Sequence, residues 1–190
     1  MNKILCLLPL AGLLTACGTT PPVQYYTLGP VPASQAAAAT DGPSLVVGPV
    51  GVPATVDRLL IVRTVAGSRA EVTEGHRWAA PLKTEIARRL AVELARRSGN
   101  GRIVAWPQNS LADPALTLPV DIQRLEAEGF EQVSLEAVWS LRQGGKDIAG
   151  RRFAAAERVT EATWAGLAAA HGRLVDALAA DIAGELVRRR

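Results

Sequence analysis

From Val133 onward the chain alternates: Val133, Leu135, Ala137, Trp139 and Leu141 fall on one side, opposite Ser134, Glu136, Val138, Ser140 and Arg142. A period of two is that of a strand with one face in a core. Leu118, Val120 and Ile122 alternate in the same way just before it. Residues 148–159 are expected to return antiparallel, because Gly144-Gly145 suits the positive φ angles of a tight hairpin. Shorter runs predict further strands at residues 23–28, 45–48, 59–62, 70–73 and 102–106. Pro49-Val50-Gly51-Val52-Pro53 lies between two of them. Its two prolines lack the donor that a central strand needs, so this segment reads as a bend or a sheet edge.

The period changes to that of a helix in two places. Leu82, Ile86, Leu90 and Leu94 share one face, Pro81 suits a first helical position, and Ser98-Gly99-Asn100-Gly101 ends the run. Glu85 is placed to pair with Arg88 or Arg89. A longer stripe begins near Thr163 and runs through Trp164, Leu167, His171, Leu174, Leu178, Ile182 and Leu186. Together these elements predict an α+β domain, a mostly antiparallel sheet with two amphipathic helices packed on one face. No internal repeat is present. Residues 29–44, rich in Pro, Ala and Gly, read as a flexible loop within a domain spanning residues 23–190.

The amino-terminal end has a different pattern. Met1-Asn2-Lys3 carries one positive charge, and residues 4–14 are apolar apart from Pro9 and Gly12. That run is too short to cross a bilayer, which needs about 20 apolar residues. Leu14-Thr15-Ala16-Cys17 follows and resembles the lipobox of bacterial lipoproteins, an aliphatic residue and two small ones before cysteine. Small residues fit a peptidase beside the scissile bond, and the Cys17 thiol is the nucleophile that accepts a diacylglyceryl group. Residues 1–16 are therefore expected to be a signal peptide, and residues 17–22 a lipidated cysteine with a short tether. The resemblance also bears on the destination. An Asp after the cysteine retains many lipoproteins in the inner membrane, so Gly18 favours the periplasmic face of the outer membrane. The five residues Gly18-Thr19-Thr20-Pro21-Pro22 reach about 17 Å when extended.

Composition sharpens this picture. The chain has 190 residues and two cysteines. Cys6 would leave with the leader, so no internal disulfide is available and the fold must rest on its core. The net charge of +3 falls by one with Lys3, and basic residues are interspersed with acids, which excludes a nucleic-acid footprint.

Candidate chemistry is sparse. His76 sits in Glu74-Gly75-His76-Arg77 and reads as a solvated loop residue, whereas His171 lies on the apolar stripe of the second helix and reads as packed. No His/Cys/Asp/Glu spacing fits a metal, and there is no Gly-x-Ser-x-Gly elbow, phosphate loop or dinucleotide fingerprint. Glu126 and Glu128 share a strand face but read as a solvated strand end. No enzyme activity is expected, and no cofactor beyond the covalent lipid on Cys17. Trp78, Trp139 and Trp164 are explained by core packing. In a strand Tyr25 and Tyr26 must face opposite sides, leaving one to meet a partner. The candidate partner-binding residues are Tyr25, Tyr26, Val50, Val52 and Pro53.

The order of these features resembles the ABC-type transport auxiliary lipoprotein family, the paraquat-inducible protein C-like lipoproteins. The marks are Cys17, Tyr25-Tyr26-Thr27-Leu28-Gly29, Val47-Gly48-Pro49-Val50-Gly51-Val52-Pro53, Val56-Asp57-Arg58, Trp78 with Pro81-Leu82, Val120-Asp121-Ile122 and Leu135-Glu136-Ala137-Val138-Trp139. Leu59-Leu60 departs from the polar step that the family would place there. The resemblance implies a partner of MCE-domain proteins in a lipid transport complex, docking the periplasmic assembly at the outer membrane without catalytic residues. A ring-shaped partner would favour a homo-oligomer, although the residues do not specify one. The rival reading is a structural lipoprotein that regulates an envelope or cell-wall machine. Such proteins generally need a longer tether than this one.

Overall fold

The strand with the most neighbours organises the domain. The computed structural model describes residues 21–30 and 42–188. The leader, Cys17, most of the tether and residues 31–41 of the expected loop lie outside them. In chain order the described elements are β1 (Gln24–Tyr26), β2 (Leu45–Gly51), β3 (Leu60–Val65), β4 (Arg69–Trp78), α1 (Leu82–Ser98), β5 (Ile103–Ala105), β6 (Leu116–Glu128), β7 (Gln132–Gln143), β8 (Lys146–Arg158) and α2 (Trp164–Arg188).

β6 carries β7 on one edge, antiparallel, and β8 follows β7 in the same sense. The β7–β8 turn is Gly144-Gly145, with φ values of +55° and +77°. Both glycines thus occupy the left-handed region that a two-residue hairpin of this hand demands. The other edge of β6 is shared. Its first half pairs with β2, from Leu45↔Leu116 to Gly51↔Asp121, and its far end meets β3 at Thr64↔Glu128. Beyond β2 lies β5, and beyond β3 lie β4 and then β1. The sheet therefore forks at β6 into two arms.

This corrects the expected direction of pairing. The sheet is mixed rather than mostly antiparallel, since β1–β4, β2–β5, β2–β6 and β3–β6 are all parallel. Alternation tells which face a residue occupies but carries no information on a neighbour's direction. Parallel pairing needs a long crossover, and α1 lies within the one from β2 to β5. β4 is also longer than the strand expected at residues 70–73 and takes in His76.

Both helices form where the apolar stripes place them. α1 follows Pro81 and ends at Gly99 in the left-handed conformation, φ +64°. α2 is capped by Thr163, whose Oγ1 accepts the Gly166 amide at 3.0 Å. α1 packs against β2 and β5, α2 against β7 and β8, and the helices pack against each other. The core is the seam between them and the sheet: Leu118, Val120 and Ile122 from β6, Leu135 and Trp139 from β7, Ile86, Leu90 and Leu94 from α1, and Leu167, Leu174 and Leu178 from α2. Trp139 is buried without an orphaned donor, because its Nε1 donates to Asp181 at 3.1 Å. No helix among the described residues is long and apolar enough to cross a membrane.

Candidate functional site

Three local structures stand out from the packed frame: the β1 edge, the buried clamp behind it, and the corner formed by residues 49–53.

At the edge, β1 pairs in parallel with β4, Tyr25 opposite Arg77 and Tyr26 opposite Trp78. The two tyrosines face opposite sides as the strand period requires. Tyr25 is 62% exposed, while Tyr26 is half-buried. The Tyr26 hydroxyl donates to Gln24 Oε1 at 2.5 Å and lies 2.9 Å from His76 Nδ1. A phenol has one hydrogen, so with that hydrogen given to Gln24 the imidazole is the donor in the second bond. Burial pushes the Tyr26 pKa up.

His76 is thus not a solvated loop residue. It belongs to a strand and stacks on Trp164, with ring centroids 4.4 Å apart. Trp164 meets the edge of Phe130 at 5.2 Å, and the Arg63 guanidinium lies 4.2 Å from the Phe130 centroid and 4.9 Å from that of Trp164. Glu71 then accepts from Arg63 Nη2 at 2.7 Å. That hydrogen bond, aided by the arginine's charge, holds the Glu71 carboxyl below its usual range. The series joins β1, β4, α2 and β3 through rings and one cation rather than through backbone pairing. Its members are scattered between residues 26 and 164, so no local motif could have revealed it.

Behind the edge, Arg89 of α1 is buried. Its Nε and Nη2 donate to the two carboxylate oxygens of Asp176 on α2, each at 2.7 Å, and Nη1 donates to the carbonyls of Leu28 at 2.8 Å and Gly29 at 3.0 Å. Gly172 on α2 leaves room for the Leu28 carbonyl, since a Cβ there would collide with it. One side chain therefore fastens the segment after β1 to both helices. A sequence signal existed: three residues after Ile86, Arg89 falls on the buried stripe of α1, where an arginine requires partners. Glu93, one turn on, is also buried. Burial alone would raise its pKa, but bonds and charge from Arg96 and Arg97 outweigh that and lower it.

The third structure lies at the fork between β2 and β3. Val50 is buried at 9% exposure, whereas Val52 and Pro53 are half-buried and Pro49 is exposed. Of the candidate partner-binding residues, Tyr25 thus stands in the open, Tyr26 and Val50 serve the interior, and Val52 and Pro53 are partly accessible. Pro49 lines a surface cleft of about 370 Å³ with Trp106, Leu111, Pro114 and Pro119. Trp106 is 53% exposed. Pro53 lines a second cleft of about 330 Å³, where β3 and β6 diverge, with Val62, Thr64, Arg124 and Glu126. Within it Arg124 pairs with Glu126 at 2.9 Å and lies 3.9 Å from Glu128. The two carboxylates are partners of an arginine.

The second histidine is accounted for by packing. His171 is buried, bonds the Leu167 carbonyl through Nδ1 at 2.8 Å and packs edge-on against Trp78. Burial pushes its pKa down to about 4, so the ring is neutral at ordinary pH. Among the described residues no cluster of three His, Cys, Asp or Glu side chains could hold a metal ion.

Comparison with known proteins agrees with this arrangement. No curated protein is significantly similar to the sequence. The crystal structure of an uncharacterized protein superposes with a TM-score of 0.69 at 19% identity, covering 87% of this chain and 99% of the other. A protein from Xanthomonas campestris assigned to family DUF330 superposes with a TM-score of 0.68 at 16% identity, covering 88% and 100%. At such identities the likeness concerns the fold. The family is established by the sequence itself, which matches a family profile over residues 26–183. This chain belongs to the family of ABC-type transport auxiliary lipoprotein components.

Proposed function

We propose that this protein is a non-enzymatic lipoprotein, anchored through Cys17 to the periplasmic face of the outer membrane, that docks the end of an MCE-domain lipid transport assembly. The observation that carries this reading is the arrangement of the sheet. β1, which receives the tether, ends one arm, and the Trp106 cleft lies at the other, beside β2 and β5. A domain built this way keeps its anchor and a partner surface apart. The lipid confines the domain to a plane and so raises its effective concentration for a membrane-bridging partner. The exposed Trp106, flanked by prolines and Leu111, suits an apolar anchor residue of the partner, the kind of contact that dominates interface energies.

The docking role is tested with the acylated chain in vesicles and a purified MCE-domain protein. Retention of that protein by the vesicles, and its loss in Trp106→Ala, is the expected result. Failure of the natively folded chain to retain it would remove the MCE partner from this reading. The anchor is tested separately by the mass of the amino-terminal peptide, which should carry acyl chains on Cys17 and lack them in Cys17→Ser.

A further inference from the structure

Strand register sorts the side chains of the β1–β4–β3 arm into two sets. Residues directly opposite across a pairing project to the same side. Tyr26 opposite Trp78 faces the helices, where Trp78 meets His171 of α2. Tyr25, Arg77 and Leu60 form a row on the other side. Val62, two residues beyond Leu60, shares that side, and Val72 lies opposite Val62. The outer face of this arm therefore presents Tyr25, Leu60, Val62 and Val72, with Tyr25 62% and Val72 40% exposed. Arg77 stands beside Tyr25, and exposed Arg58 lies just before β3 at the same end of the β3–β4 pair.

The chain itself indicates what this face meets. Val23, next to β1, is 39% exposed. Cys17 is six residues earlier, so even a fully extended tether spans only about 20 Å. If the sulfur of Cys17 carries lipid, the outer face of β1 is held within that distance of a bilayer whatever angle the domain adopts. Tyrosine with aliphatic neighbours and a bordering arginine suits the boundary between acyl chains and headgroups, where an amphipathic ring and a guanidinium on an apolar stem both find favourable surroundings.

We infer that the outer face of β1–β4–β3 is a second membrane contact, with Tyr25, Leu60, Val62 and Val72 seated in the headgroup layer and Arg58 and Arg77 meeting anionic phosphates. This rests on the anchored reading above and goes beyond it, because it gives the domain an orientation. With that face down, the Trp106 end of the sheet is free to meet a partner rather than swinging on its leash.

The test uses the full, processed chain in vesicles of phosphatidylethanolamine and phosphatidylglycerol. With Cys17 acylated and Cys6 removed with the leader, a new cysteine is the one thiol available for an environment-sensitive fluorophore. Labels are placed at Val72→Cys and Tyr25→Cys, with Val187→Cys on α2, where Val187 is 56% exposed, as the reference. Labels at 72 and 25 should emit to the blue of the label at 187 and be quenched more strongly by nitroxide-bearing lipids. Arg77→Glu should weaken both effects at position 72. A chain that floats with the vesicles but shows all three labels equally solvated overturns the contact and leaves the anchor standing. A chain that does not float overturns both. Protection of position 72 that arises only when a second protein is added assigns the face to that protein and likewise overturns the inference.

Discussion

The β6–β8 meander and the β1–β4–β3 arm, which meet at β6, are held by different means. On one side β6, β7 and β8 run for 12 or 13 residues each and pair along nearly their whole length with sequence neighbours. On the other, β1 contributes three residues and β3 touches β6 at one register pair, Thr64↔Glu128. The long meander is secured by strand pairing and a filled core. The β1 arm depends on single side chains, the ring series from Tyr26 to Arg63 and the Arg89 clamp. Local sheet strength and attachment to the anchor are thus separate properties of this domain, and a mutation can damage one without the other.

The largest blow is expected in the meander. Leu135→Ala removes a fully buried side chain from the centre of β7 and should destabilise the whole domain by about 4 kcal/mol in denaturant unfolding. The next effect comes from acid. His171 titrates near 4 when folded against 6.5 for the free group, so below pH 6.5 the unfolded chain binds a proton that the native chain does not. Stability attributable to this residue is complete above pH 6.5 and declines as pH falls towards 4, by a total on the order of 3 kcal/mol. In His171→Phe this part of the pH dependence should vanish. A variant whose stability falls as steeply as the parent's over that range would contradict the assignment.

Smaller and more local effects should follow from the β1 arm. Arg89→Ala leaves Asp176 without its partner, and since that carboxylate is partly exposed the cost should be about 2 kcal/mol. Hydrogen exchange distinguishes the arm from the meander: the Ala79 amide, which bonds the Tyr26 carbonyl, should lose protection, while amides of β6 to β8 keep theirs. Equal loss in the meander would mean that the two are not independent. Tyr26→Phe, which deletes only the hydroxyl that meets Gln24 and His76, should cost about 1 kcal/mol, again confined to the β1 arm.

The same contrast explains what could be read in advance. Strands β6 to β8 and both helices were legible because their signals are local: alternation, a glycine pair, and apolar spacings of three and four. The α2 stripe from Trp164 to Leu186 coincides with the helix observed, and Thr163 caps it. The β1 arm was only partly legible. Its strand segments could be found, but their directions and partners depend on residues some fifty positions apart, as in Gln24↔His76. β4 in particular continues past the expected residues 70–73 through Glu74 and Gly75, which carry little strand signal, and its extension through His76 follows from the neighbours it acquires. At the candidate site, the division of labour between Tyr25 and Tyr26 followed from the period of a strand. The burial of Val50 and the prominence of Trp106 did not, since both depend on how β2 and β5 come together.

Arg89 also determines where mechanical tension would go. Any tug on the amino-terminal leash enters at residue 23, crosses three residues of β1, and arrives at the Leu28 and Gly29 carbonyls that the guanidinium grips. From there it is shared between α1, which bears the arginine, and α2, which bears Asp176. The strain is thereby delivered to the helical layer before it reaches residue 45 and the central strands, so a partner hauling on the domain would strain the fastening ahead of the fabric.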